Sequence, residues 1–235
     1  MANQGKGVAM GSAHIRCRGG QKAGRKNIHR PMTSVIVLDP GHGGSDHGTT
    51  WPQNEGPYEL IEKDLTLLLC RQLRQRLISL DWPIAVEMTR EGDDDMSLHA
   101  RGAVAKKYGA DLVLSIHINS SPEEKHSGMI TFARAGDIAG SDVAKVITES
   151  APQELRRKRN GFFSCDPLEI STNDWARWLS RANNVLERFA PVPSVLIEAC
   201  HATNQKDRDE IRNPGTQAGV ASACILGVER YLSTI

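Results

Sequence analysis

Two histidines and two glutamates occupy positions from which a chain of this kind could do chemistry. His42 follows directly on the apolar run VIVLD, His117 closes DLVLSIH, Glu198 closes SVLIE, and Glu62 stands in the first turn of an amphipathic stretch. Two imidazoles and one carboxylate form a donor set that suits zinc, whose catalytic sites use three protein ligands and keep one position for water. A second carboxylate beside them could move the proton. Taken singly, each has a plainer reading: a histidine after a strand is commonly a loop or core residue, and Glu62 alone is a helix-start carboxylate favoured by the dipole. Glu198 is harder to dismiss, because a carboxylate directly after Val195, Leu196 and Ile197 is expensive to bury unpaired. An ion pair with Arg90 or Arg101 would satisfy it equally well. His47, His99 and His126 have no comparable placement, whereas His201 is close enough to Glu198 to support the site from behind.

The elements that must position these residues follow from the apolar periodicity. SVIVLD reads as a buried strand ended by the loop DPGHGG, so folded structure starts near Thr33. Over 59–80, Ile61, Leu65, Leu69, Leu73 and Leu77 recur at helical spacing and place one apolar face beside Glu62. A strand at 84–89, a helix at 97–108 and a strand at 111–117 continue the alternation. A strand at 128–133 and a helix at 137–157 come next, then a poorly patterned, charged stretch at 156–170 that reads as an insertion or surface loop. The chain closes with a strand at 194–198 and a helix at 215–232. Alternating strands and helices predict an α/β fold with a mixed, mostly parallel sheet flanked by helices on both faces. Ligands of open α/β sheets bind beyond the carboxyl ends of the strands, where His42, His117 and Glu198 all fall.

Length and composition bound the rest. The 235 residues, 39% hydrophobic and 24% charged, are enough for one domain plus a tail. A net charge of +1 conceals an asymmetry, because Lys6, Arg16, Arg18, Lys22, Arg25, Lys26 and Arg30 all precede the first acidic residue, Asp39. Removing these seven from the 29 basic residues leaves 22 against 28 acidic ones, so a mildly acidic body at 33–235 follows a basic, flexible tail at 1–32. Such a tail is suited to electrostatic contact with an anionic envelope surface; nothing in the pattern points to nucleic acid, and nothing specifies an oligomeric state. The sequence shows neither an 18-residue apolar span nor an apolar secretory core in its first 32 positions, the pattern of a protein held in the cytoplasm until released to the wall or periplasm. Cys17, Cys70, Cys165, Cys200 and Cys224 are odd in number and lack a CxxC pair, which argues against a disulfide framework and against a thiolate zinc site.

Longer blocks go beyond spacing. VIVLDPGHGGSDHG, EKDLTL, TREGDDDMSLHARGAVAKKYGADLVLSIHINS, SGMITF and PSVLIEACHATNQKD resemble, in order and approximate spacing, the successive motifs of the zinc N-acetylmuramoyl-L-alanine amidase family, which includes cell-division amidases and phage endolysins. The resemblance runs from Ser34 to the C-terminus. It implies one zinc ion held by His42, Glu62 and His117, Glu198 as the catalytic carboxylate, and hydrolysis of the amide between N-acetylmuramic acid and L-alanine of peptidoglycan through a zinc-activated water. It also implies a lytic enzyme of the endolysin kind. Two alternatives stay open: a catalytically silent wall-binding module whose zinc is closed by His201 or Cys200, and a zinc peptidase acting on the stem peptide. The chain departs from the family after Glu198, where Gly and an aromatic residue are usual and Ala199, Cys200 and His201 stand instead. The 156–181 stretch is longer than in the minimal catalytic domain. Asn119 and Arg90 are further polar candidates, for substrate or for the ligand loops.

Overall fold

The architecture comes from a computed structural model of the chain, which describes residues 1–2, 33–53, 56–156, 161–165 and 176–235. Positions 3–32 of the basic tail, with Cys17, and positions 157–160 and 166–175 of the unfamiliar stretch lie outside the described residues. The chain divides between Pro31 and Met32, and the elements below belong to the second unit.

A sheet with strand order β4-β1-β5-β8-β6-β7 organises the fold: β1 is Ser34–Pro40, β4 Ile84–Met88, β5 Leu112–Asn119, β6 Ile130–Arg134, β7 Phe162–Cys165 and β8 Ser194–His201. Only the β8–β6 pairing is antiparallel, so the sheet is mixed and mostly parallel as expected. β2 (Thr50–Trp51) and β3 (Leu60–Ile61) form a separate two-stranded ribbon. The helices are α1 (Glu62–Ile78), α2 (Leu98–Tyr108), α3 (Ile138–Glu149), α4 (Ala176–Leu186), α5 (Gln205–Ile211) and α6 (Pro214–Leu232).

Alternation along the strands sorts the core into two layers. Ile36, Leu38, Leu112, Leu114, Ile116, Val195 and Ile197 turn to one face and pack with Leu69, Leu73 and Leu77 of α1, Val143 and Ile147 of α3, and Val220 and Val228 of α6. Val37 and Val113 turn to the other face against Ala105 of α2, while Ile130, Phe132 and Leu196 pack under Leu179, Ala182 and Leu186 of α4. Helices therefore cover both faces of the sheet.

Three boundaries differ from expectation, each for a local reason. The first helix starts at Glu62 rather than near 59, because Leu60 and Ile61 are paired with Trp51 and Thr50 in the ribbon. The helix expected to reach 157 stops at Glu149, short of Pro152, which cannot donate a backbone hydrogen bond. Inside the stretch read as an insertion, Phe162–Cys165 is a strand that pairs in parallel with β6 and forms the edge of the sheet.

Candidate metal centre

The register of the central strands does much of the positioning. His117 of β5 lies directly opposite Glu198 of β8, and a register shift follows between His117 and Asn119. Irregularities of this kind re-aim side chains at the end of a ladder. His42 comes from the loop after β1, and Glu62 is the first residue of α1.

His42 has a φ of 59°, a left-handed backbone that a residue with a side chain adopts only when its surroundings impose it. Those surroundings are explicit. Arg101 bridges Asp39 Oδ1 at 2.8 Å, Pro40 O at 2.6 Å and His42 O at 2.6 Å. Asp39, wholly buried, also accepts from Thr89 Oγ1 at 2.6 Å and Ser115 Oγ at 2.7 Å. Burial alone would raise its pKa, but the Arg101 charge and these hydrogen bonds outweigh that and hold it below the ordinary value. Arg90 donates to Pro40 O at 3.1 Å, Gly41 O at 2.9 Å and Lys63 O at 2.7 Å, tying the His42 loop to the start of α1. Lys63 Nζ reaches Gly44 O at 2.7 Å, and Gly44 N and Ser45 N donate to Asp93 and Asp95, each at 2.8 Å. Two glycines are required by close approach: a Cβ on Gly41 would stand 2.4 Å from the His117 ring, and one on Gly48 2.6 Å from Glu62 Oε2.

This scaffold brings three donors together. Glu62 Oε1 is 3.1 Å from His42 Nε2 and 3.0 Å from His117 Nδ1, and suitable donor atoms of the three residues all lie within 4.8 Å of one another. The two rings meet edge to face, 5.1 Å between centroids. Glu62 is buried; its Oε2 accepts from Thr49 N at 2.7 Å and its Oε1 from Ile118 N at 2.9 Å. Burial disfavours the charge on Glu62, yet hydrogen bonds and charge from His117 and His42 depress its pKa far below the usual range. Burial likewise opposes protonation of His42, but Glu62, and after it Asp46, raise its pKa to about 9. Asp46 Oδ2 lies 2.8 Å from His42 Nδ1, so that ring presents its other nitrogen, Nε2, to Glu62. A carboxylate behind a ligating imidazole is the arrangement that fixes tautomer and ring orientation in metal sites.

Glu198 lines the same cavity, and its buried Oε2 has no hydrogen-bond partner among the described residues. Neither arginine considered as its partner pairs with it, since both are engaged by the His42 loop and its supports. Burial first, and then the nearby charge of Glu62, push its pKa well above the ordinary carboxylate value. A cation held by the three donors would lower it again and relieve two carboxylates buried in one cavity. The donor set, the unpartnered carboxylate and the strained loop therefore fit a divalent metal. Among the described residues no fourth His, Cys, Asp or Glu joins the cluster. His201 is buried elsewhere, with Nδ1 3.2 Å from Gly128 O, and burial lowers its pKa to about 4. Cys200 is buried too, and burial raises its thiol pKa.

The cavity, of about 510 Å³, has a second wall that the sequence reading missed. Trp178, Arg181, Asn184 and Val185 of α4 line it together with His42, Glu62, His117 and Glu198, as do Leu98, Asn119 and Ser120. His126 and His201 brace Trp178, with ring centroids 5.7 and 6.4 Å away. The imidazole of His201 thus acts as a packing ring. The signal for α4 was present as Leu179, Ala182, Leu186 and Phe189, an apolar stripe at helical spacing.

Comparison with known proteins gives a consistent answer. The family model described as N-acetylmuramoyl-L-alanine amidase matches residues 36–230. The chain is 30% identical over 241 aligned positions to N-acetylmuramoyl-L-alanine amidase AmiC of Escherichia coli O6:H1, covering 91% of this chain and 56% of the relative, so it spans little more than half of that protein. It is also 30% identical over 214 positions to the germination-specific N-acetylmuramoyl-L-alanine amidase of Bacillus subtilis, covering 85% of this chain and 80% of the relative. Among solved structures, an N-acetylmuramoyl-L-alanine amidase from Clostridium difficile 630 superposes with a TM-score of 0.69 at 27% identity, covering 86% of this chain and 98% of that one.

Proposed function

The chain belongs to the N-acetylmuramoyl-L-alanine amidase family, and from that premise we propose that it hydrolyses the amide joining the lactyl group of N-acetylmuramic acid to L-alanine in peptidoglycan. The observation that carries the proposal is the convergence of His42, Glu62 and His117, with the unpartnered Glu198 on the same cavity. In this reading His42, Glu62 and His117 hold one zinc ion, which when bound supplies a Lewis acid and acidifies a water molecule. Glu198 accepts a proton from the attacking water and returns it to the departing alanine nitrogen, a transfer supported by its place opposite His117 on the same cavity. Asp46 keeps His42 in the ligating orientation, and Arg101 and Arg90 hold the loop that carries it. The products are a stem peptide with a free L-alanine amine and a bare glycan strand.

Residues 33–235 form the catalytic domain in this proposal, and the seven cations of 1–32 draw it to an anionic envelope, consistent with a lytic role of the endolysin kind. Among the described residues no helix is long and apolar enough to cross a membrane. Removing 1–32 is expected to weaken lysis of permeabilised cells more than hydrolysis of purified wall; equal losses would contradict the role of the tail.

Substitution tests the site directly. Glu198→Ala should lower hydrolysis by a factor of about 10³ or more while keeping bound zinc, whereas His42→Ala should lose zinc and hydrolysis together. Near-normal hydrolysis by Glu198→Ala would remove its assigned role.

A further inference from the structure

The face of α4 that closes the cavity carries a charge the hydrolytic chemistry does not use. Trp178, Arg181, Ala182 and Val185 recur at helical spacing and line the same space as His42, Glu62, His117 and Glu198. Leaving the histidines aside, the charged side chains of that lining are Glu62 and Glu198 on the sheet wall and Arg181 on the helix wall. Arg181 is exposed and has no ion-pair or hydrogen-bond partner among the described residues, unlike Arg90 and Arg101, whose donors are satisfied within the ligand loops. Its backbone is held nonetheless, because Leu179, Ala182 and Leu186, on the adjoining stripe of the helix, are buried with Ile130, Phe132 and Leu196. Trp178, one turn earlier and braced by His126 and His201, stands at its side. A guanidinium with uncommitted donors on the lining of that cavity can receive a carboxylate.

We infer that Arg181 binds a carboxylate of the stem peptide and makes the enzyme selective for stems that carry it free. The inference rests on the amidase reading above. The residue that follows L-alanine in the stem is a glutamate joined through its side chain, so its α-carboxyl is either free or amidated. At roughly 3.5 Å per extended residue, L-alanine and the glutamate backbone together put that group up to about 7 Å from the scissile bond. His42, Glu62, His117 and Arg181 line one cavity of about 510 Å³, so a group bound at the donors and a carboxylate at Arg181 share one space.

The test compares zinc-loaded full-length enzyme on soluble N-acetylmuramoyl pentapeptides that differ only at the second residue, D-isoglutamate or D-isoglutamine. Wild type is expected to favour the free acid about tenfold in kcat/KM, as befits one charge-assisted hydrogen-bonded pair in a solvated cavity. Arg181→Gln should bring the ratio near one, chiefly through KM on the acid, with zinc content and thermal midpoint unchanged; Arg181→Lys should restore part of it. A wild-type ratio near one, or a tenfold preference that survives Arg181→Gln, overturns the inference while leaving the amidase intact. A third substrate, amidated only at the diamino acid, tests a carboxylate farther along the stem; selectivity there with none at the second residue would also overturn it. Cleavage of none of the substrates would instead refute the amidase reading itself.

Discussion

On the sheet side of the cavity the polar groups are wired to one another. Arg101 joins Asp39 to the carbonyl of His42, Arg90 joins the His42 loop to α1, Asp46 backs the His42 ring, and Lys63 with Asp93 and Asp95 clamps the following turn. On the helix side, Arg181 and Asn184 are exposed and no such network reaches them among the described residues; the wall is held from behind by apolar packing of Leu179, Ala182 and Leu186. The difference separates two jobs. Donors that converge on a metal must keep their geometry within fractions of an ångström, which takes a dense second layer of hydrogen bonds. A surface that reads a substrate needs free donors, and these exist only where the protein leaves them unspent.

The largest effect should come from cutting the wired wall at its centre. Arg101→Met leaves Asp39 charged and buried without its partner, so stability should fall by about 3–5 kcal/mol in denaturant unfolding. A loss under about 1 kcal/mol would mean that Thr89 and Ser115 suffice for Asp39 and that the bridge is dispensable. Protons should probe the same wall. Because Glu62 and Asp46 raise His42 to about 9 in the metal-free chain, that ring carries a proton at pH 7 which a metal must displace. Zinc affinity should therefore rise about tenfold per pH unit from 7 toward 9 and then flatten, in competition titrations with a chelator of known pH dependence. A flat profile would show that His42 carries no proton for the metal to displace above pH 7. Asp46→Asn should be milder, weakening zinc by about 10- to 100-fold with the fold unchanged.

The helix wall should give the smallest structural response. Arg181→Gln is expected to alter thermal unfolding by no more than about 0.5 kcal/mol, because the side chain is exposed and makes no ion pair among the described residues. A large loss of stability would show that the two walls are built alike and would erase the distinction drawn between them.

The same contrast governs what could be read from the sequence. The wired wall sits on short apolar strands followed immediately by chemical residues: VIVLD before His42, LVLSI before His117 and SVLI before Glu198, so strand ends and candidate ligands were visible together. Glu62 was legible because the heptad-like leucines of α1 pointed to its place in the first turn. Its partnership with His42 and His117 was legible only through the family resemblance of the longer blocks, since no local pattern encodes how α1 meets β5. The allocation of Arg90 and Arg101 to backbone carbonyls rather than to Glu198 was not legible. The helix wall was hidden for another reason. The charged, unpatterned 156–170 stretch masks the start of the apolar stripe that follows it, in which Leu179, Ala182 and Leu186 mark an amphipathic helix. β7 escaped because four residues, FFSC, are too few to show a period.

The most direct test of the account is digestion of purified peptidoglycan by the full chain, with and without a zinc chelator, followed by mass spectrometry and labelling of newly exposed amines. The account predicts free L-alanine amines that vanish on chelation and return with zinc. Wall left intact by zinc-loaded protein, or new amines appearing beyond L-alanine, would contradict it, the first pointing to a silent binding module and the second to a peptidase.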